Sequence, residues 1–399
     1  MTRQSLIKLI SSLKKGRLAG FFLLGLLLGC QPTALQEEQQ LMQAAKTDAM
    51  AAKRLARQRL AANELPAALA WWRQAARLGA QDALEHAIRL QIRLEGKLAT
   101  AHWVSQQPHL PTLNNSAILA ELGLWSKNVP QTNVAAWQHT ADCALTLQPV
   151  VSQAQGERTW QALLNAWQHD PQLAQLPVCF KPLLHLNSTE LNCSEQLGQR
   201  IACNYTELAP MVAEGDFQQV LVIAGRGVAS YNNGIVQLPE DASLALLRHE
   251  FMHIAGFLDE YALTPIIAKT LCQPGRIAPN LLVGNDSEVV ARYVQRYGVP
   301  ETSLQLTPVD TCNAVGIQAY RPIAVITPMR HLDAAIPALY QQLLLKALST
   351  PQQLMPVQYY FAYLARQEQA WQNWQQFMQG AAAFGYPAAI SALAVEVGE

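Results

Sequence analysis

The run His249-Glu250-Phe251-Met252-His253-Ile254-Ala255-Gly256-Phe257-Leu258-Asp259-Glu260-Tyr261 constrains this chain more than any other stretch. Two histidines four apart share one face of a helix, about one turn from each other. The spacing predicts a helix from Ser243 to Ala255 with both imidazoles aimed at one point, where they can share a metal ion. Zinc suits such donors. Glu250 leaves the helix at a different angle, so its carboxylate can take a proton from a metal-bound water without being a ligand.

A zinc site that performs chemistry keeps three protein ligands and one open position. Gly256 predicts where the third comes from. Glycine adopts positive φ without strain and turns a chain sharply at a helix end, which brings Asp259 back toward the histidines. The expected set is His249, His253 and Asp259. Glu260 and Glu288 are rival third ligands. Glu288 falls in a helix expected from Asp286 to Tyr297, where an acid in the first turn also has a purely structural reason to be present.

With glycine three past the second histidine, the run resembles the metzincin clan of metallopeptidases, Asp259 standing three further on where the clan's pattern ends in histidine. Asp259-Glu260-Tyr261, Pro279-Asn280, Tyr320-Arg321-Pro322 and Met329-Arg330 follow in the order of the IgA-peptidase-type family within that clan. The chain has one residue fewer than that family between His253 and Asp-Glu-Tyr, and Met252 stands where the family often has glycine. The general metzincin spacing fits better, so the family's substrate does not carry over. The resemblance covers about residues 176–345. It implies an α+β, metzincin-like zinc peptidase domain with a peptide or protein substrate, and it makes Met329 the methionine of a turn beneath the metal. Arg321 and Tyr261 are candidate donors to the oxyanion formed when water attacks a carbonyl. His331, two residues past Met329, reads as a surface histidine.

The first 29 residues read as a lipoprotein signal peptide. Arg3, Lys8, Lys14, Lys15 and Arg17 precede an apolar stretch, Leu18 to Leu28, that is short for a bilayer span. Leu27-Leu28-Gly29-Cys30 resembles a bacterial lipobox, with Cys30 as the lipidated residue. Gln31 rather than aspartate after it favours the outer membrane. Without residues 1–29 the chain carries 24 Lys and Arg against 29 Asp and Glu, a net charge near −5, which argues against a nucleic-acid surface.

Six further cysteines, Cys143, Cys179, Cys193, Cys203, Cys272 and Cys312, suggest disulfides in an exported chain. Cys193–Cys203 and Cys272–Cys312 are the expected local pairs. No Cys-x-x-Cys occurs, so neither a zinc ribbon nor a cysteine nucleophile is expected.

Residues 30–45 are polar and read as a tether. Residues 46–170, rich in Ala, Leu, Gln and Trp, carry helical periodicity, with helices expected over Ala67 to Gly79 and Ala83 to Leu94. A related pattern returns in a C-terminal helical region, 349–399. Both resemble tetratricopeptide or Sel-one-like repeats. All nine tryptophans fall before residue 170 or after 370, which sets these regions apart from a metallopeptidase domain at 171–348. In that domain, Gln219 to Ala224 reads as a strand. Val228 to Leu238 reads as a strand or hairpin turning at Asn233-Gly234.

The sequence thus points to a zinc-dependent endopeptidase anchored in the cell envelope by its lipid. Its helical flanks would recruit a protein partner or substrate. The alternative is an envelope binding or scaffold lipoprotein that uses helical repeats and carries a regulatory or inactive metallopeptidase fold. A third reading is zinc hydrolysis of a non-protein amide such as a peptidoglycan cross-link.

Overall fold

A computed structural model describes residues 34–107, 115–125, 137–138 and 143–396. Residues 1–29, read from the sequence as a signal peptide, and Cys30, read as the lipidated residue, lie outside the described residues. The chain is mixed α and β and divides into two compact units between Leu94 and Glu95. Among the described residues no helix is long and apolar enough to cross a membrane.

The first unit holds α1 (Ala34–Ala44), α2 (Ala49–Ala61), α3 (Leu65–Arg77) and most of α4 (Gln81–Glu95). Residues 34–44, read as tether, are therefore helical. Asp48 caps α2 by accepting from the Ala51 N–H at 2.6 Å. Buried Ala52, Ala56, Ala68 and Ala75 let α2 and α3 approach closely, and Trp72 stacks on His86 of α4.

The second unit begins with α5 (Lys97–Ser105) and α6 (Ser116–Leu122). Then come β1 (Leu145–Val151), α7 (Ala154–His169), β2 (Val178–Phe180), β3 (Leu184–His185), α8 (Ser188–Leu191), β4 (Glu195–Arg200), α9 (Ala209–Glu214) and β5 (Gln219–Ile223). β6 (Arg226–Val228), β7 (Ser230–Asn232), β8 (Ile235–Leu238), α10 (Leu244–Ile254) and α11 (Pro265–Leu271) follow. The rest is β9 (Ile277–Ala278), β10 (Leu281–Val283), α12 (Ser287–Tyr297), β11 (Thr307–Val309), β12 (Ala319–Arg321), α13 (Ala338–Leu348), α14 (Val357–Gln367), α15 (Trp371–Ala383) and α16 (Pro387–Glu396).

The main sheet runs β2-β1-β5-β8-β7, with β3 also on β1. All its pairings are parallel except β7 with β8. β5 and β8 are continuous buried runs, as parallel strands covered on both faces must be. Alternation divides them between two cores. Leu221, Ile223, Val236 and Leu238 face α7, α10 and α13, while Val220, Val222 and Ile235 face α9, α14 and α15. A four-stranded antiparallel sheet, β11-β12-β10-β9, and a parallel pair, β4-β6, complete the unit.

These contacts move the borders read from the sequence at 170 and 348. β1 and α7 lie before 170, yet β1 is central to the sheet, and Trp167 of α7 packs on Phe251 of α10 with centroids 5.1 Å apart. α14 to α16 lie after 348, yet Phe361, Trp374, Phe377 and Ala389 fill the core on the far face of the sheet. Trp160 and Trp167 on one face of the sheet and Trp374 on the other thus belong to the two cores of the second unit, while Trp72 belongs to the first unit.

Three disulfides are formed. Cys193–Cys203 and Cys272–Cys312 are the two expected pairs, and Cys143–Cys179 joins the chain before β1 to β2.

Candidate metal centre

α10 starts where Ser243 caps it, the hydroxyl accepting from the Leu246 N–H at 3.2 Å. Leu247, Phe251, Met252 and Ile254 anchor one face in the core. Its end is set by Gly256, at φ +82°. The Gly256 N–H donates to the His253 carbonyl at 2.9 Å and the Phe257 N–H to the Met252 carbonyl at 3.3 Å. These are the two bonds of a Schellman turn. The turn folds the chain back so that the Phe257 carbonyl meets His253 Nδ1 at 2.8 Å. His249 Nδ1 meets the Pro328 carbonyl at 2.9 Å.

Because both Nδ1 atoms face carbonyl oxygens, each carries the proton, and each Nε2 presents its lone pair. Asp259 completes the set. Its Oδ1 lies 3.1 Å from His249 Nε2 and 3.3 Å from His253 Nε2, is buried, and has no hydrogen bond. Atoms from all three residues lie within 4.8 Å of one another. With both imidazoles neutral, three lone pairs converge on one point and could hold a cation; without one, a protonated imidazole can donate to Asp259 Oδ1 instead. Zinc fits by donor type and by spacing, since ligands about 2.0 Å from a tetrahedral ion stand about 3.3 Å apart. Burial pushes the Asp259 carboxyl up, but the two imidazoles outweigh it and hold it below the usual carboxylate range. Burial pulls His249 down, yet Asp259 and the Pro328 carbonyl leave it raised.

Glu250 is buried beside this point. Burial raises its carboxyl, opposed by His253 and His249 and reinforced by the Asp259 charge. Tyr261 lies nearly parallel to the His249 ring, 6.4 Å between centroids, and remains 43% exposed. Burial and the neighbouring Asp259 carboxylate raise its hydroxyl. Met329 is fully buried in a turn in which the Arg330 N–H donates to the Thr327 carbonyl at 3.0 Å, one residue from the carbonyl that orients His249.

Other candidates fall elsewhere. Glu288 is exposed in the first turn of α12, behind its cap Asp286. His331 is exposed. Glu260 points into the protein, where its Oε1 accepts from Tyr340 Oη at 2.7 Å and Asn280 Nδ2 at 3.1 Å. Arg321 is not free to meet a substrate. Its Nη1 faces Glu260 at 3.7 Å, and its Nε and Nη2 donate to the carbonyls of Ile323 and Ala324. An oxyanion role for Arg321 is therefore dropped.

Arg200, not singled out from the sequence, lies at the exposed end of β4. Its charge acts on both Glu250 and Tyr261. β4 pairs in parallel with β6, Arg200 opposite Val228, and the chain runs on from β6 into β7. Nearby cations are committed: Arg330 to Asp310, and Arg248 to the carbonyls of Leu332 and Ala334. A lone arginine in an exposed strand carries no sequence signal.

No protein-family model matches this chain, and no curated protein matches it.

Proposed function

We propose that the second unit is a zinc-dependent endopeptidase of metzincin type. The observation that carries the reading is the convergence of His249 Nε2, His253 Nε2 and Asp259 Oδ1, with both Nδ1 protons committed to backbone carbonyls. When bound, zinc supplies Lewis acidity toward a carbonyl and lowers the pKa of water. The two histidines and Asp259 would hold it. Glu250 takes a proton on its carboxylate and returns it to the departing amine. Its raised affinity for protons suits the second half of that task. The Tyr261 hydroxyl, on a ring beside His249, is the candidate donor to the carbonyl oxygen as it gains charge, and the Arg200 charge would add a positive potential there.

Three disulfides support an oxidising compartment. With the lipobox at Cys30, outside the described residues, they favour a lipid-anchored protein of the envelope at the outer membrane. The test is elemental analysis of residues 31–399 beside Asp259→Ala, followed by incubation with denatured protein substrates. One zinc per chain, weakened in the variant, with cleavage abolished by Glu250→Gln, is the expected result. Zinc uptake with no cleavage would favour the binding or scaffold reading, and no zinc uptake would end the peptidase reading.

A further inference from the structure

We propose that Glu260 is a positioning residue. Its side chain sets the register between the segment carrying Asp259 and the turn carrying Pro328 and Met329, and so keeps the three metal-facing atoms assembled. This rests on the metal reading above.

Asp259 and Glu260 are neighbours with opposite destinations. Asp259 turns to the histidines, while Glu260 has no solvent exposure at all. Glu260 Oε1 joins it to Tyr340 of α13 and to Asn280 before β10, and Asn280 also bonds both backbone polar groups of Leu258. Oε2 has no hydrogen bond and faces the Arg321 guanidinium. That guanidinium also holds the carbonyls of Ile323 and Ala324, on the chain leading into the methionine turn. The backbone of Glu260 meets the same turn directly. Its N–H donates to the Met329 carbonyl at 2.9 Å, and Arg330 Nη1 donates to its carbonyl at 3.1 Å. One residue before Met329, the Pro328 carbonyl orients His249.

A buried ion pair is a poor source of stability, because desolvation offsets the attraction and apolar replacements are often no less stable. What directional bonds do well is fix position. Glu260 links four separate segments of chain, two of which control metal ligands.

The experiment uses the full chain, stripped of metal and reloaded with zinc or cobalt(II). Zinc affinity is read by chelator competition and coordination by the cobalt absorption spectrum. Glu260→Ala leaves Arg321 buried without its counter-charge and is expected to unfold the chain. The informative variant is therefore Glu260→Gln with Arg321→Met, which removes both charges. A folded double variant with roughly tenfold weaker zinc binding and an altered cobalt spectrum is the expected result. Affinity within twofold of the parent, with an unchanged spectrum, overturns the proposal. Tyr340→Phe is the second arm, since it deletes one hydrogen bond and keeps the ion pair. A shifted cobalt spectrum supports the positioning role, and an identical one counts against it. A parent that binds neither metal removes the site and the proposal together, which separates that failure from one in the variants alone.

Discussion

Asn280 grips Leu258 from both sides: its Oδ1 accepts from the Leu258 N–H at 2.8 Å, and its Nδ2 donates to the Leu258 carbonyl at 2.7 Å. Asn280 is itself fully buried. The side chain thus imitates a neighbouring strand for the one residue that precedes Asp259. Asn280→Ala leaves both backbone groups without partners. A loss of about 3 kcal/mol is expected, at one to two for each abandoned group. Urea unfolding measures it, and zinc affinity should fall in the same variant.

Glu250→Gln keeps the shape of the side chain and removes its proton chemistry. Peptide hydrolysis should fall by about 10²- to 10⁴-fold, while zinc affinity stays near that of the parent. Parallel assays of cleavage and chelator competition check this. Equal losses in both would mean that Glu250 holds the metal.

Gly256 sits at φ +82°, and a Cβ there would meet only the Pro279 ring, at 3.9 Å. Space is therefore not the constraint; backbone conformation is. Gly256→Ala should cost about 1 to 2 kcal/mol, and because Phe257 follows directly, it should also loosen the carbonyl that orients His253. Thermal unfolding with and without zinc separates the two effects.

Burial raises the carboxyls of Glu240, Glu250 and Glu260 above the ordinary 4.5, partners such as Lys97 at 2.8 Å from Glu240 notwithstanding. The folded chain then holds protons to higher pH than the unfolded chain does. In the window that opens at 4.5, the native state binds more protons, so the stability of metal-free protein should fall as pH rises. His249, raised from 6.5, extends the decline in the same direction. Glu240→Gln removes one of these groups, and its urea midpoint should depend less on pH than the parent's. A steeper dependence would contradict the assignment.

Arg200→Gln should leave the folding midpoint unchanged, because the side chain is exposed and makes no ion pair among the described residues. Its expected effect is confined to kcat/KM, about tenfold if the guanidinium contributes one charge-assisted hydrogen bond of about 1.5 kcal/mol. A shift in stability without a kinetic effect would place Arg200 in the fold instead.

Local signals in the sequence were readable where local physics decides the outcome. Asn233 and Gly234 both have positive φ and join β7 to β8 in the predicted hairpin. Ser243 caps the predicted helix, and Gly256 turns the chain where its lack of a side chain allows. Cys193 and Cys203, ten residues apart, pair as proximity suggests. Cys143–Cys179 was not readable, because it depends on Leu145 lying opposite Val178 once β1 and β2 pair. Arg321 shows the same limit. Its motif says that a guanidinium matters, and only the folded chain shows it turned toward Glu260 rather than toward a substrate. Trp160 and Trp167 misled for a related reason: their helical spacing is genuine, but the partner of that helix is a sheet built largely from residues further along the chain.

β1 pairs at once with β2, β3 and β5. A shortened protein beginning at residue 171, where sequence alone would start the enzyme, leaves the five residues of β5 as a naked backbone edge. Such an edge recruits other chains, so that product belongs in inclusion bodies. A product beginning at Glu95 keeps the strand and belongs in the supernatant. The smallest self-sufficient piece of this protein is accordingly larger than its signature motif suggests, because the histidine helix packs on strands that begin well before it in the chain.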